Sequence, residues 1–328
     1  MALATLLYLG KKRRLRESLV QFLLAALVFA DLASAHRPFH YLLDGRLIDQ
    51  TPKVLPPSGN YRLMYIPGPG HLHPDYYPSS KKSFGEGIAS LFATLSPNSG
   101  LFYGFDYLQE LDPFRRWRYD LLVQKGVTLP PEKLYRLLGA LNVKFITSYE
   151  TLPPASGLRL VREFPEYGSY LYELSRVVPR AYIAAEASPG ASDWEILERL
   201  SGDSFDPLTS VILDRPLSLP PHKDFTGRAE ILSYGNTVVT IQASVNGEGI
   251  LVLADSYYPG WRVYVDGKES EMLRANLLFR AVRLPPGEHR VVFRYEPRSF
   301  LAGLLLSLAT LAGLVAWLLC GSAHKHEA

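Results

Sequence analysis

At 328 residues, 47% of them apolar, the chain is long enough for two domains, and one core is not expected to hold it all. Its 35 basic and 32 acidic residues nearly balance at a net charge of +3, so nothing demands a nucleic-acid partner. A single cysteine, Cys320, leaves no disulfide to stabilise the bulk of the chain, and one thiol does not point to redox or metal chemistry.

Residues 1–10 are apolar and read as the tail of a truncated transmembrane helix, so Met1 is not expected to be the true start of the protein. Residues 11–17, with Lys11, Lys12, Arg13, Arg14 and Arg16, form a basic loop that the positive-inside bias keeps in the cytoplasm. Residues 18–35 are the first expected transmembrane helix. It contains Gln21 and Asp31, and Asp31 lies near the end of the run, where an interface hydrates it. A cleaved signal peptide is the competing reading, since the basic block, the apolar run and Ala33-Ser34-Ala35 follow that pattern. The apolar residues before the basic block are in the wrong order for it.

Residues 36–216 read as an extracytoplasmic α+β domain. A Pro- and Gly-rich stretch over 52–78 is broken by a strand at 61–66. His71, His73 and Asp75 crowd together there, but no ordered element fixes them, and no metal site is expected. Helices are predicted over 83–95, 113–123 and 131–141, the last opened by Pro130 and Pro131. Strands follow at 143–147, 158–164, 170–174 and 182–184, then a helix over 192–200 capped by Ser192 or Asp193. After Gly227 short strands are predicted at 237–245, 249–254, 261–265, 277–284 and 289–295. The turns Asn246-Gly247, Pro259-Gly260, Asp266-Gly267 and Pro286-Gly287 separate them. Residues 217–297 are therefore an all-β sandwich, also outside. No charged residue or histidine occurs over 299–321, and 298–321 is the second expected transmembrane helix, with 322–328 a cytoplasmic tail.

Two groups of side chains are candidate sites. Tyr257, Tyr258 and Trp261 beside a Pro-Gly turn offer an aromatic platform for a sugar ring, with Asp255 and Asp266 accepting hydroxyl hydrogen bonds. The plainer reading is that the turn shapes the loop and Trp261 packs between sheets. Arg115, Arg116 and Arg118 near Trp117 are candidates for lipid-phosphate contact, or are simply solvated helix arginines. There is no Gly-rich phosphate loop, paired-cysteine metal spacing or Gly-x-Ser-x-Gly turn.

The series Asp255-Ser256-Tyr257-Tyr258-Pro259-Gly260-Trp261, Val265-Asp266-Gly267, Asn276 with Phe279-Arg280-Ala281-Val282, Leu284-Pro285-Pro286-Gly287-Glu288-His289 and Phe293-Arg294-Tyr295-Glu296-Pro297 resembles the carboxyl-terminal part of the YfhO-type bacterial membrane proteins. Pieces around Asp112-Pro113, over 138–147 and at Pro179-Arg180-Ala181 are similar too. The resemblance implies a GT-C-like glycosyltransferase of the cell envelope, taking sugar from a lipid-phosphate carrier. The acidic catalytic residues would lie among amino-terminal membrane helices that this sequence lacks. No catalytic residue carries over, and no cofactor is implied. The expected partners are the bilayer, membrane helices of a catalytic part, and an envelope glycan or lipid-linked sugar. A stand-alone anchored glycan-binding or scaffold protein is the alternative.

Overall fold

The computed structural model describes residues 17–36, 59–66, 95, 103–108, 117–126, 128–165 and 168–323. The expected features at 1–16, 67–94 and 324–328 lie outside the described residues. These include the truncated helix tail, the basic loop, His71 to Asp75 and most of the helix over 83–95.

The first sheet is built from β1 (Arg62–Ile66), β2 (Asp106–Tyr107), β3 (Val143–Ser148), β4 (Leu158–Phe164) and β5 (Ser169–Leu174), in the order β2-β1-β3-β5-β4. β1 pairs in parallel with β2 and β3, whereas β5 pairs antiparallel with β3 and β4. Two helices precede β3: α2 (Trp117–Gly126) and α3 (Pro131–Ala140), after α1 (Glu17–His36) at the start of the chain. Pro131 suits the first turn of α3, where its missing N–H has no intrahelical partner to lose. Gly139 in α3 is required by close approach, since a Cβ there would meet the Arg176 carbonyl oxygen at 2.1 Å.

The second part holds two sheets. One has the order β13-β12-β16-β10-β9, from β9 (Gly227–Tyr234), β10 (Val238–Val245), β12 (Trp261–Val265), β13 (Lys268–Ser270) and β16 (Gly287–Tyr295). The other has the order β6-β11-β15-β14-β8-β7, from β6 (Ala181–Ala184), β7 (Glu186–Pro189), β8 (Ser210–Leu213), β11 (Gly249–Ser256), β14 (Leu273–Ala275) and β15 (Phe279–Leu284). The helix α4 (Asp193–Leu200) is capped by Ser192, whose hydroxyl accepts from the Glu195 N–H at 3.2 Å.

The six-stranded sheet buries both faces, and the period of two sorts its side chains between two cores. Leu251 and Leu253 of β11, Val282 and Leu284 of β15 and Ile183 of β6 face the five-stranded sheet. Ile250, Val252, Ala281 and Tyr182, their neighbours in sequence, face the helices and the mixed sheet. Each fully buried leucine contributes about 1.5–3 kcal/mol of transfer free energy. An α+β part and a β-sandwich are thus both present, but the boundary expected at residue 216 does not divide the sheets. β6, β7 and β8, which fall within 36–216, belong to the sandwich. Each has four residues, too few for periodicity to reveal which sheet it joins.

The last described element is α5 (Arg298–Ala323). Both expected membrane spans are helical, as α1 and α5, yet among the described residues no helix is long and apolar enough to cross a membrane.

Candidate functional site

Along the inner face of the sandwich, the apolar row Leu251, Leu253 continues to Asp255, and the row Leu284, Val282 continues to Arg280. A break in the β11–β15 register between Leu253 and Ser256 sits at this end, where bulges commonly redirect side chains. The sandwich mouth is therefore closed by charge rather than by hydrocarbon. Asp255 is the hub, at 6% exposure. Its carboxylate accepts from Arg62 Nη2 at 3.2 Å and Arg280 Nη2 at 2.9 Å, and lies 2.8 Å from Arg180 Nη2. The Tyr234 hydroxyl donates to it at 2.9 Å and accepts from Arg180. Arg180 also donates to Asp106 at 2.7 Å and to the Asn142 side-chain carbonyl at 3.3 Å.

Each part of the fold contributes: Arg62 and Asp106 come from the mixed sheet, Arg180 from the turn into β6, and Asp255 and Arg280 from the six-stranded sheet. Tyr234 and Trp261 come from the five-stranded sheet. The Arg280 guanidinium stacks on the Trp261 ring 3.7 Å from its centroid, and Trp261 in turn packs on Tyr295 at 5.4 Å. Gly260 shapes the approach to Trp261. Its φ of +102° is in the left-handed region, and a Cβ would meet Tyr295 at 2.9 Å.

These residues surround a cavity of about 510 Å³, lined also by Tyr119, Tyr258 and Leu278. Burial opposes charge on Asp255, but the three guanidiniums outweigh it and hold the carboxyl below its usual range. For Arg280 burial wins and its pKa falls to about 10; for Arg62 burial and repulsion from Arg180 do the same, also to about 10. Tyr234 rises to about 12, chiefly through burial and the nearby Asp255 charge, and stays a neutral donor.

Of the candidate sugar contacts, Asp255, Tyr258 and Trp261 line this cavity. Tyr257 does not line it, and its backbone N–H is tied to the Leu278 carbonyl at 2.6 Å. Asp266 lies away from it in the β12–β13 turn, where it accepts from the Arg290 N–H at 2.8 Å and contacts His289 Nδ1 at 2.7 Å. Arg118 pairs with Asp193 at 2.9 Å and stacks on Trp117, away from the cavity lining. Arg115 and Arg116 lie outside the described residues. Among the described residues no cluster of His, Cys, Asp or Glu is placed to hold a metal. Arg62, Arg180, Arg280, Tyr234 and Asp106 were not singled out as site residues from sequence. The available signal was a lone arginine in an otherwise apolar setting, as in Phe279-Arg280-Ala281-Val282 and Pro179-Arg180-Ala181.

Residues 226–307, about a quarter of the chain, match the family model described as bacterial membrane protein YfhO. Over this segment the chain is similar to the YfhO family. No curated protein and no solved structure matches it. The YfhO segment contains Tyr234, Asp255, Trp261, Arg280 and Tyr295, and it runs into the first turns of α5. Arg62, Asp106 and Arg180 reach the same cavity from outside the segment. The family is one of bacterial membrane proteins, which supports membrane association of this chain.

Proposed function

We propose that this chain is the extracytoplasmic, membrane-anchored part of a YfhO-type envelope glycosyltransferase, and that its sandwich-mouth cavity holds a glycan-bearing ligand for a catalytic membrane part absent from this sequence. The observation that carries this is the position of an aromatic and arginine-lined cavity directly before the terminal helix. Tyr295 lines it, and α5 begins three residues later at Arg298. Phe300, Leu301, Leu304, Leu305, Leu306 and Leu308 are all exposed on α5. Every residue over 298–314 is exposed, so the described part of the helix has no buried face, as suits a helix solvated by lipid. The Ser307 and Thr310 hydroxyls donate back to the carbonyls of Gly303 and Leu306, both at 2.9 Å, so they add no unmet polar group to such a surface. α1 likewise exposes Phe22, Val28, Phe29 and Leu32.

A stand-alone anchored binding protein is a second reading, favoured by the state of the cavity's carboxylates. Asp255 is engaged by three arginines and Asp106 by Arg180, a poor arrangement for acid–base chemistry. Both readings share anchoring and an outer location. Alkaline extraction of membranes and protease treatment of spheroplasts test them. The chain is expected to stay with the membrane after extraction and to be cut from outside. Release by alkali, or full protection until lysis, overturns the proposal.

A further inference from the structure

His289 stands near the start of β16 with its ring turned into the sandwich, 8% exposed, on the same side of the strand as Val291 and Phe293. Its Nδ1 lies 2.7 Å from an Asp266 carboxylate oxygen, and its Nε2 lies 2.9 Å from the Pro285 carbonyl oxygen. Neither neighbour has a proton to give. A backbone carbonyl has none, and Asp266 is held below the ordinary carboxylate range, first by the His289 hydrogen bond and next by the Arg290 N–H. A neutral imidazole has one N–H and answers one of the two oxygens, with a nitrogen lone pair left facing the other. The imidazolium has two and answers both.

The two oxygens belong to different turns. Asp266 opens the β12–β13 turn and is tied to β16 without the ring, since its carboxylate accepts from the Arg290 N–H at 2.8 Å and its own N–H donates to the Arg290 carbonyl at 3.0 Å. Pro285 stands in the corner between β15 and β16, where 285–288 are all exposed. Gly287 lets that corner sit close to the ring, because a Cβ there would come within 3.4 Å of His289 Nε2. The geometry points to a proton-operated latch: His289 as an imidazolium clasps the β15–β16 corner to the β12–β13 turn, and loss of one proton to water releases the corner. The N–H that remains goes to the carboxylate, the charged and nearer acceptor, so the Pro285 carbonyl is the side left facing a lone pair. The latch is therefore closed in acid and opens as pH rises. The elements around the ring leave Asp266 in charge of it. β10 presents Ala243 across the strand pair, β15 carries Arg283, which is paired with Glu248, and Lys268 acts on the charge of Asp266. Glu288 and Arg290 are exposed on the other face of β16. Both turns lie at the end of the sandwich away from the cavity, because β12 runs from Trp261, which lines it, to Val265, and β16 runs back to Tyr295, which lines it too. The latch is independent of the ligand-holding role.

The test is nuclear magnetic resonance of the full chain in neutral detergent with isotope-labelled histidine, together with hydrogen exchange of the Gly287 and Glu288 amides, at about pH 5.5 and about pH 8.5, either side of the ordinary histidine value near 6.5. Exchange is corrected for its intrinsic pH dependence. The His289 signal is assigned by its loss in His289→Gln or, where that variant does not fold, by its shift in Asp266→Asn. At the lower pH both ring nitrogens are expected to carry protons. At the higher pH Nδ1 alone should keep one, and exchange at the corner should rise roughly tenfold. Asp266→Asn keeps an oxygen for the Arg290 N–H and offers its amide N–H to Nδ1, so a neutral ring with its proton on Nε2 satisfies both neighbours. In that variant the rise is expected to shrink below about twofold. A ring that holds one proton at the lower pH, no rise in the wild type, or an equal rise in the wild type and Asp266→Asn overturns the inference.

Discussion

Asp255 and Asp266 sit on the same sandwich, eleven residues apart in sequence (266 − 255), and both have a pKa below the ordinary carboxylate value. Their surroundings make them different objects. Asp266 stands in a hairpin turn with its side chain 51% exposed, and its lowering comes first from the His289 hydrogen bond and next from the Arg290 N–H. Asp255 is lowered against strong burial by arginines from separate parts of the fold. Water shares in stabilising the first charge, whereas only the protein stabilises the second. The contrast teaches that a carboxylate becomes a hub when it closes the end of a core, whatever the motif around it.

Substitution is expected to separate the two positions widely. Asp255→Asn keeps the shape and removes the anion, so three guanidiniums face one another in a buried site. A loss of about 3–5 kcal/mol is expected, read by chemical denaturation. Arg280→Met removes one of the three guanidiniums and leaves Asp255 with two arginines, so a smaller loss of about 1–2 kcal/mol is expected in the same measurement. A larger cost for Arg280→Met than for Asp255→Asn would break the comparison. Gly267→Ala tests the turn alone. With φ at +81° and nothing within 4 Å of a Cβ, the cost is backbone strain of about 1 kcal/mol. Asp266→Asn is the mildest, below about 1 kcal/mol, since its own side chain is half exposed and asparagine tolerates the positive φ of 50° at that position.

Acid gives a further separation. Because the folded pKa of Asp255 is depressed, its stabilising contribution is complete above the unfolded value near 3.9 and is lost as pH falls through the folded one. The stability of the wild type is therefore expected to fall on acidification below about pH 4, with a shallower fall in Asp255→Asn. Arg62 and Arg280 act in the opposite sense. Their folded pKa near 10 lies below the unfolded value, so the fold bears a penalty for their charged forms at neutral pH, which is relieved as pH rises above about 10.

What the sequence disclosed follows from how each element is buried. β10 alternates because one face meets the core, and β11 reads as an apolar run because both faces do. β9 is mostly exposed along its length, has no apolar rhythm, and escaped prediction as a strand. Within the site, Asp255 and Trp261 were legible because a Pro-Gly turn sets them apart. The arginines were not. Arg62 lies 193 positions from Asp255 and meets it only because the mixed sheet packs against the sandwich mouth. No local pattern encodes such a pairing. The same distance explains why Asp266, beside an equally conspicuous turn, looked like a site residue and instead closes a hairpin.

The central claim is that the Asp255 carboxylate, held by Arg62, Arg180 and Arg280, joins the mixed sheet to the mouth of the sandwich. Chemical denaturation of the wild type, Asp255→Asn and Asp266→Asn at pH 7 tests it most directly. The account predicts a loss of stability several times larger in Asp255→Asn than in Asp266→Asn. Equal losses in the two variants would contradict it.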